Sequence, residues 1–497
     1  MPLILSHLDT RDLACLAATC PSLWRDVPTP STPPRIIGPV ETELRLRAER
    51  RGLVVGSLPE GAPSWLLYLL ACDRRDALRR HAPLAVGFTQ SIFVDREGRL
   101  LSCGGAVNGQ LLLGHAVDPE ADPDAPRKIV SPTPVPSMQA TRVVSVATGG
   151  FHCLALSTVG EVYSWGSGDH SELGHLDQDV MPNRIVSLSR IERIAAATSR
   201  TSAAVDVNGH LYTWGRPPVG GLPSVGLLDT DDERLGPNGL GYEVDIHETW
   251  VQPIPRRVDA LLQHRVVGVA LGHGFTLAVT DAGAVFSFGY NEDGALGHGS
   301  SVSEVLPRQI EALTQTGRRF VAVAAADCQA LALTEEGELY GWGEPQTAEE
   351  PLQRVRVPQR IAELVGIQVK LVYALDASSC AVTETGELFS WSHESDYTNH
   401  LGHGVGALQL GPKRVEGLGG VKIAAAAICH THTLVADEDG VVWGFGKRCA
   451  LGLDDEPGRA DDERVEPPTL IPALRVRAGK SPPVVWSSAG RPGASGV

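Results

Sequence analysis

Seven times along the chain, a glycine in a short polar turn is followed five residues later by a fixed register position, which in six copies is aromatic. The copies read REGRLLSCG around Gly98, VGEVYSWG at Gly160, NGHLYTWG at Gly209, AGAVFSFG at Gly283, EGELYGWG at Gly337, TGELFSWS at Gly386 and DGVVWGFG at Gly440. The register position holds Trp165, Trp214, Phe288, Trp342, Trp391 and Phe445, with Cys103 in the first copy. An apolar stretch such as CLALS, SAAVD, TLAVT or CAVTE precedes the turns, so each copy predicts strand, glycine turn, strand, with the glycine supplying a positive φ. Several copies then end in Leu-Gly, at Gly114, Gly174, Gly297, Gly402 and Gly452, whereas the Gly337 copy does not.

A second marker begins with proline: PRKIV at Pro126, PNRIV at Pro182, PRRV at Pro255, PRQI at Pro307, PQRI at Pro358, PKRV at Pro412 and PTLI at Pro468. Taken as the opening of each unit, it leaves the Gly98 hairpin without an opener and Pro468 without a following turn. The two then form one split unit, with residues 464–478 joining the first hairpin. Strand-rich units of roughly 50 residues cannot bury both faces of a small twisted sheet alone, and radial stacking protects their edges. The expected fold is all-β, a seven-bladed β-propeller over residues 84–478, preceded by a small α-helical module. Residues 216–251 are longer than their counterparts and predict an insertion projecting from one face.

Composition narrows the function classes. Forty-three Lys and Arg against 59 Asp and Glu give a net charge of −16, which repels phosphate backbones and argues against nucleic acid as a partner. Nine cysteines with no C-x-x-C pair read as scattered reduced thiols, pointing to cytoplasm or nucleus. The most apolar run, residues 65–72, is too short to span a bilayer and is followed at once by Asp73, Arg74 and Arg75, so no membrane partner is expected.

The glycine turns, the strand FHCLALS and the ending SELGH resemble the family of regulator of chromosome condensation repeats. That resemblance implies the same propeller and admits several roles, from exchange factor for the Ran GTPase to interaction scaffold. The N-terminus, LILSHLDTRDLACLAATCPSLWRDV, has apolar residues at helical spacing and resembles an F-box over residues 1–27. On that family's pattern Ile4, Leu8, Leu13, Leu16 and Cys20 are the adaptor-binding positions, and the resemblance implies a Skp-type adaptor and a cullin ubiquitin ligase as partners. Residues 28–63 begin with a Pro-rich linker, residues 64–83 read as a connecting helix, and residues 479–497 as a disordered tail.

Catalytic constellations are missing: no Gly-x-Ser-x-Gly elbow, His-Glu-x-x-His, phosphate loop or paired-cysteine metal spacing occurs, so neither an enzyme nor a metal or other cofactor is expected. His115, His175, His298 and His403 follow Leu-Gly endings, but equivalent places on different blades are too far apart to share ligands about 2 Å from one metal. At least one of His430 and His432 reads as a core or backbone-bonding residue. Acidic runs at residues 118–124, 229–233 and 454–463 read as solvated loops that could also form a face for a basic partner. Two function classes follow: a non-catalytic substrate receptor of a Skp–cullin–F-box ligase whose propeller binds a protein target, or a nucleotide-exchange regulator of a Ran-like small GTPase.

Overall fold

The computed structural model describes residues 81–105, 114–115, 128–175, 181–215, 243–244, 250–291, 293–343, 355–392, 398–404, 409–453 and 464–476. The helical module, the linker, residues 64–80 of the connecting helix, the acidic runs and residues 479–497 all lie outside these. Residues 81–83 are irregular.

Seven antiparallel sheets form the ring, spanning residues 84–134, 143–184, 191–257, 266–309, 320–360, 369–414 and 423–475 and termed blades 1 to 7. The first strands of successive blades contact one another around the axis, and that of blade 7 contacts that of blade 1. Second strands such as His152–Ser157, Gln329–Thr334 and Ser378–Thr383 are buried along their whole length, because both faces of a blade are covered by neighbours. This explains why their sequences read as short continuous apolar runs with small residues and show no alternation.

The seven turn glycines all have positive φ, between 73° and 87°. A side chain at Gly337 would also press on the backbone of Val369 at the start of the next blade. The glycine turns therefore sit where one blade abuts the next, at the end of the ring that is called the hairpin face below. The opposite end carries the tight turns between first and second strands and the long connections between third and fourth strands.

The proline segments are assigned differently from the sequence reading. Each supplies the outer strand of the blade whose glycine turn precedes it. Lys128–Pro134 pairs with Leu100–Gly105, Glu304–Gln309 with Val285–Gly289, and Arg464–Arg475 with Val441–Lys447. There is no split unit, because Pro468 closes blade 7 in its own sheet. The end of this strand meets blade 1 through the isolated bridge between Asp95 and Val476, with Arg96 N–H donating to Arg475 O at 3.3 Å, and through the apolar cluster that Ile471, Leu474 and Val476 share with Leu84 and Phe93. Proline suits the role because an outer edge strand has N–H groups that need no ladder partner. The long insertion of blade 3 ends in a short extra strand, Glu243–Val244, pairing with Trp250–Val251 and making that sheet five-stranded.

Each register residue packs on the preceding blade. Trp165 sits among Ile92, Val94 and Val135 of blade 1, Trp214 among Leu154, Leu156 and Leu188 of blade 2, and Trp342 among Leu277, Leu296 and Leu313 of blade 4. Trp391, Phe445 and Cys103 do the same on blades 5, 6 and 7, while Phe288 is half-buried against blade 3. The Leu-Gly ending is the seat for the next blade's ring. Trp214 Nε1 donates to Glu172 O at 2.9 Å and Trp342 Nε1 to Ala295 O at 2.7 Å, and a Cβ on Gly174 or Gly297 would strike those indoles. At the blade 7 to blade 1 joint the same geometry holds with a thiol in place of the ring: Cys103 Sγ lies 3.5 Å from Ala450 O, under Gly452.

Candidate functional site

Three of the four histidines after Leu-Gly fasten their own blades. His115, His298 and His403 each place Nε2 3.0 Å from a third-strand serine, Ser102, Ser287 and Ser390 respectively. Ser164, Ser287 and Ser390 in turn donate to Leu173 O, Leu296 O and Leu401 O, pinning the Leu-Gly turn to the sheet. Among the described residues no three His, Cys, Asp or Glu side chains come together in a metal-binding arrangement.

A polar belt runs from blade to blade at the start of the second strands. His152 Nε2 lies 2.7 Å from Ser202 Oγ of blade 3, and His432 Nε2 lies 2.8 Å from Ser91 Oγ of blade 1. Each serine donates its own proton to a carbonyl, Glu172 O or Ala450 O, so the His152 imidazole donates from Nε2. Gln329 Oε1 accepts from Ser379 Oγ of blade 6 at 2.8 Å, and Gln90 bonds the Cys153 thiol of blade 2. Burial holds His152, His400 and His432 neutral, lowering each pKa to about 3. These buried hydrogen bonds fix the rotation of one blade against the next, a role that apolar packing alone performs with less angular precision.

Above the belt, the turns between first and second strands converge over the axis and cap the channel. Phe88 of blade 1 lies edge-on to Phe151 of blade 2, with centroids 5.6 Å apart, and to His430 of blade 7, at 5.0 Å. A Cβ on Gly150 would meet the Phe88 ring at 2.7 Å, so only glycine lets that ring lie flat there. His430 pairs with Asp376 of blade 6, the backbone of Asp376 accepts from Asp327 N of blade 5 at 2.6 Å, and Thr198 Oγ1 of blade 3 donates to Asp327 Oδ1 at 2.5 Å. His273 N of blade 4 donates to Asp327 O, completing a contribution from every blade. Arg200 stacks 4.5 Å from the Phe151 centroid. Arg200 and Asp376 both adopt left-handed backbone, with φ of 67° and 58°. Beneath the cap, Glu172 is fully buried, and burial raises its pKa to about 7 against the opposing pull of Arg200.

Below, the channel encloses a cavity of about 130 Å³ lined by Ser145, Arg193, Val269, Val323 and Tyr373. Residues 81–83 enter along its wall near the hairpin face. Ala82 N donates to Ser145 Oγ at 3.0 Å, and Val146 N donates to Ala82 O at 2.9 Å.

Charge is unevenly distributed along the chain. The stretches joining third to fourth strands contain 28 acidic and 6 basic residues, an excess larger than the net −16 of the whole chain. Their flanking strand ends, such as the paired Gly105 and Lys128 or Lys447 and Arg464, open on the same face as the cap.

Of the residues singled out in the sequence, the seven glycines and seven register residues lie in hairpins and between blades, away from the cap. Ile4, Leu8, Leu13, Leu16 and Cys20 lie outside the described residues. The cap residues Phe88, Thr198, His273, Asp327 and Asp376, and the belt residues Gln90, Ser91, His152, Ser202, Gln329 and Ser379, were not found from the sequence; of the pair His430 and His432, His432 is the buried one and His430 sits in the cap. One signal for the belt is present in it: a polar residue stands directly before the apolar run of the second strand in blades 1, 2, 5 and 7.

The regulator of chromosome condensation (RCC1) repeat model matches residues 97–156, 159–204 and 282–333, and a second model of the same repeat matches residues 143–172. This chain carries RCC1 repeats on a seven-bladed propeller. Among curated relatives it is 34% identical over 420 residues to the E3 ubiquitin-protein ligase HERC2 of Homo sapiens, a match covering 81% of this chain and 7% of that protein. It is 31% identical over 220 residues to the ultraviolet-B receptor UVR8 of Arabidopsis thaliana, covering 43% of this chain and 44% of the receptor. The match thus spans less than half the length of either relative. Among solved structures, Prp20p of Saccharomyces cerevisiae superposes with a TM-score of 0.58 at 20% identity, covering 80% of this chain and 89% of that one. Human WBSCR16 superposes with a TM-score of 0.55 at 21% identity, covering 69% and 84%. At these identities the two structures speak to the fold alone.

Proposed function

We propose that the protein is a non-catalytic receptor: the capped, acidic face of the propeller holds a basic protein target, and the F-box-like N-terminus docks a Skp-type adaptor of a cullin ubiquitin ligase. The observation that carries the target half is that the acidic stretches between third and fourth strands begin and end at strand ends that open on the capped face. An acidic face with a hydrogen-bonded, partly aromatic centre suits a positively charged protein surface, and steers its approach from a distance. The adaptor half rests on the apolar pattern of Ile4, Leu8, Leu13, Leu16 and Cys20.

A pull-down of purified full-length protein with the Skp adaptor tests the adaptor half. Binding at micromolar concentration that is abolished by Leu8→Asp with Leu13→Asp, while the propeller's melting transition is unchanged, is the expected result. A second reading draws on Prp20p, a protein with binding properties toward Gsp1p and histones. On that reading the same face engages a small GTPase and promotes nucleotide exchange. No adaptor binding, together with accelerated nucleotide release from a small GTPase, would replace the receptor reading with this one.

A further inference from the structure

We infer that the ring has one breathing joint, the seam between blades 7 and 1, and that Cys103, Cys429 and Cys449 become reactive together when it opens, ahead of global unfolding. The other six joints are crossed by short covalent connections of six to ten residues, such as residues 135–142 between blades 1 and 2. A tether that short keeps the separated faces at high effective concentration, so they reclose at once. The seam has no such tether among the described residues, because the chain enters the ring in blade 1 and leaves it in blade 7.

The seam is also bonded differently. Its wedge is the small Cys103 where four other joints have tryptophan and two have phenylalanine. Its cross-blade contacts combine an apolar cluster, with Leu84, Val86 and Phe93 packed among Leu434, Leu451 and Ile471, and polar bonds: His432 to Ser91, Thr431 Oγ1 donating to Phe88 O at 2.9 Å, Cys429 Sγ donating to Gly87 O at 3.3 Å, and the Asp95 to Val476 bridge. The polar bonds are readily exchanged for bonds to water, and at the wedge itself a thiol leaves less apolar surface to expose than a buried indole does, so the missing tether and the small wedge set this joint apart. Cys103, Cys429 and Cys449 are all buried within this seam when it is closed, and burial raises the Cys103 and Cys429 thiols above their ordinary range. Cys153, between blades 1 and 2, and Cys380, between blades 6 and 7, are equally buried and serve as internal controls.

The test is peptide-resolved labelling of the full chain with N-ethylmaleimide under native conditions and in rising sub-denaturing urea. The thiolate adds across the maleimide double bond, forming one S–C bond, and a proton ends on the adjacent carbon with no leaving group. The three seam thiols are expected to react with a common opening dependence, at least tenfold faster than Cys153 and Cys380. In Ser91→Ala the seam rates should rise several-fold further while the two controls stay unchanged. Equal rates at all five sites, unrelated rates within the seam, or no seam labelling before the global urea transition would each overturn the inference.

Discussion

At the scale of single residues, stability is concentrated in the register aromatics and the belt. Replacing Trp342 with Ala removes a side chain with no exposed surface and orphans Ala295 O, and should lower unfolding free energy by about 3–5 kcal/mol. The same truncation at half-buried Phe288 should cost clearly less, and paired urea melts of the two variants check the order. Three buried histidines, His152 and His432 of the belt and His400 of blade 6, set the response to acid. Their folded pKa values near 3 lie below the ordinary 6.5, so between those limits the unfolded chain binds protons that the folded one refuses. Stability is therefore lost as pH falls from 6.5 toward 3, at up to about 1.4 kcal/mol per pH unit for each histidine. Glu172, raised to about 7, works in the opposite sense over roughly pH 4.5 to 7, but it is one group against three. The melting temperature should accordingly fall from pH 7 to pH 5, and His152→Gln should flatten that slope by about one proton; an unchanged slope would show that His152 does not contribute.

At the scale of strands and turns, the error in the sequence reading is instructive. A proline segment looks like the beginning of whatever follows it, and nothing local says whether it pairs backward or forward. The backward pairing of Lys128–Pro134 and Arg464–Arg475 is set by the third strand, whose own outer edge would otherwise be unpaired. Deleting residues 464–497 should thus strip the outer strand from blade 7, exposing Val441–Lys447, and leave the hairpin of blade 1 intact. The expected outcome is a lower melting temperature with increased amide exchange concentrated in residues 423–447. Exchange rising instead in residues 84–105 alone would mean that the segment belongs to blade 1 after all.

At the scale of the whole molecule, the fold was legible because its signals recur. Gly98 through Gly440 and the aromatic register repeat one structural demand seven times, so chance variation in any copy is outvoted. The cap was not legible for the converse reason. Phe88, Thr198, His273, Asp327, Asp376 and His430 come from different blades, follow no common residue type, and meet only because the ring brings their turns to one axis. Charge lies between these cases, since the acidic runs at residues 118–124, 229–233 and 454–463 are plain in the sequence, but their common face follows only from strand order. If that face takes the target, affinity should fall steeply between 50 and 300 mM salt, and changing Asp229, Asp231, Asp232 and Glu233 to Asn or Gln should weaken binding and flatten the salt dependence. Binding indifferent to both would move the target to the hairpin face.

Residues 81–83 and Val476 cross into the ring at the same end, beside the glycine turns, and the cap closes the other end. The ring thus has a handle side and a working side, separated by strands of about six residues, or roughly 20 Å. A protein anchored to a sensor surface beside residue 81 or Val476 is held on the handle side, with the ends of the third-to-fourth-strand connections turned toward solution. An anchor introduced in one of those connections inverts the arrangement. Immobilised binding measurements made in the two orientations would therefore tell the two faces apart without any substitution in the ring itself.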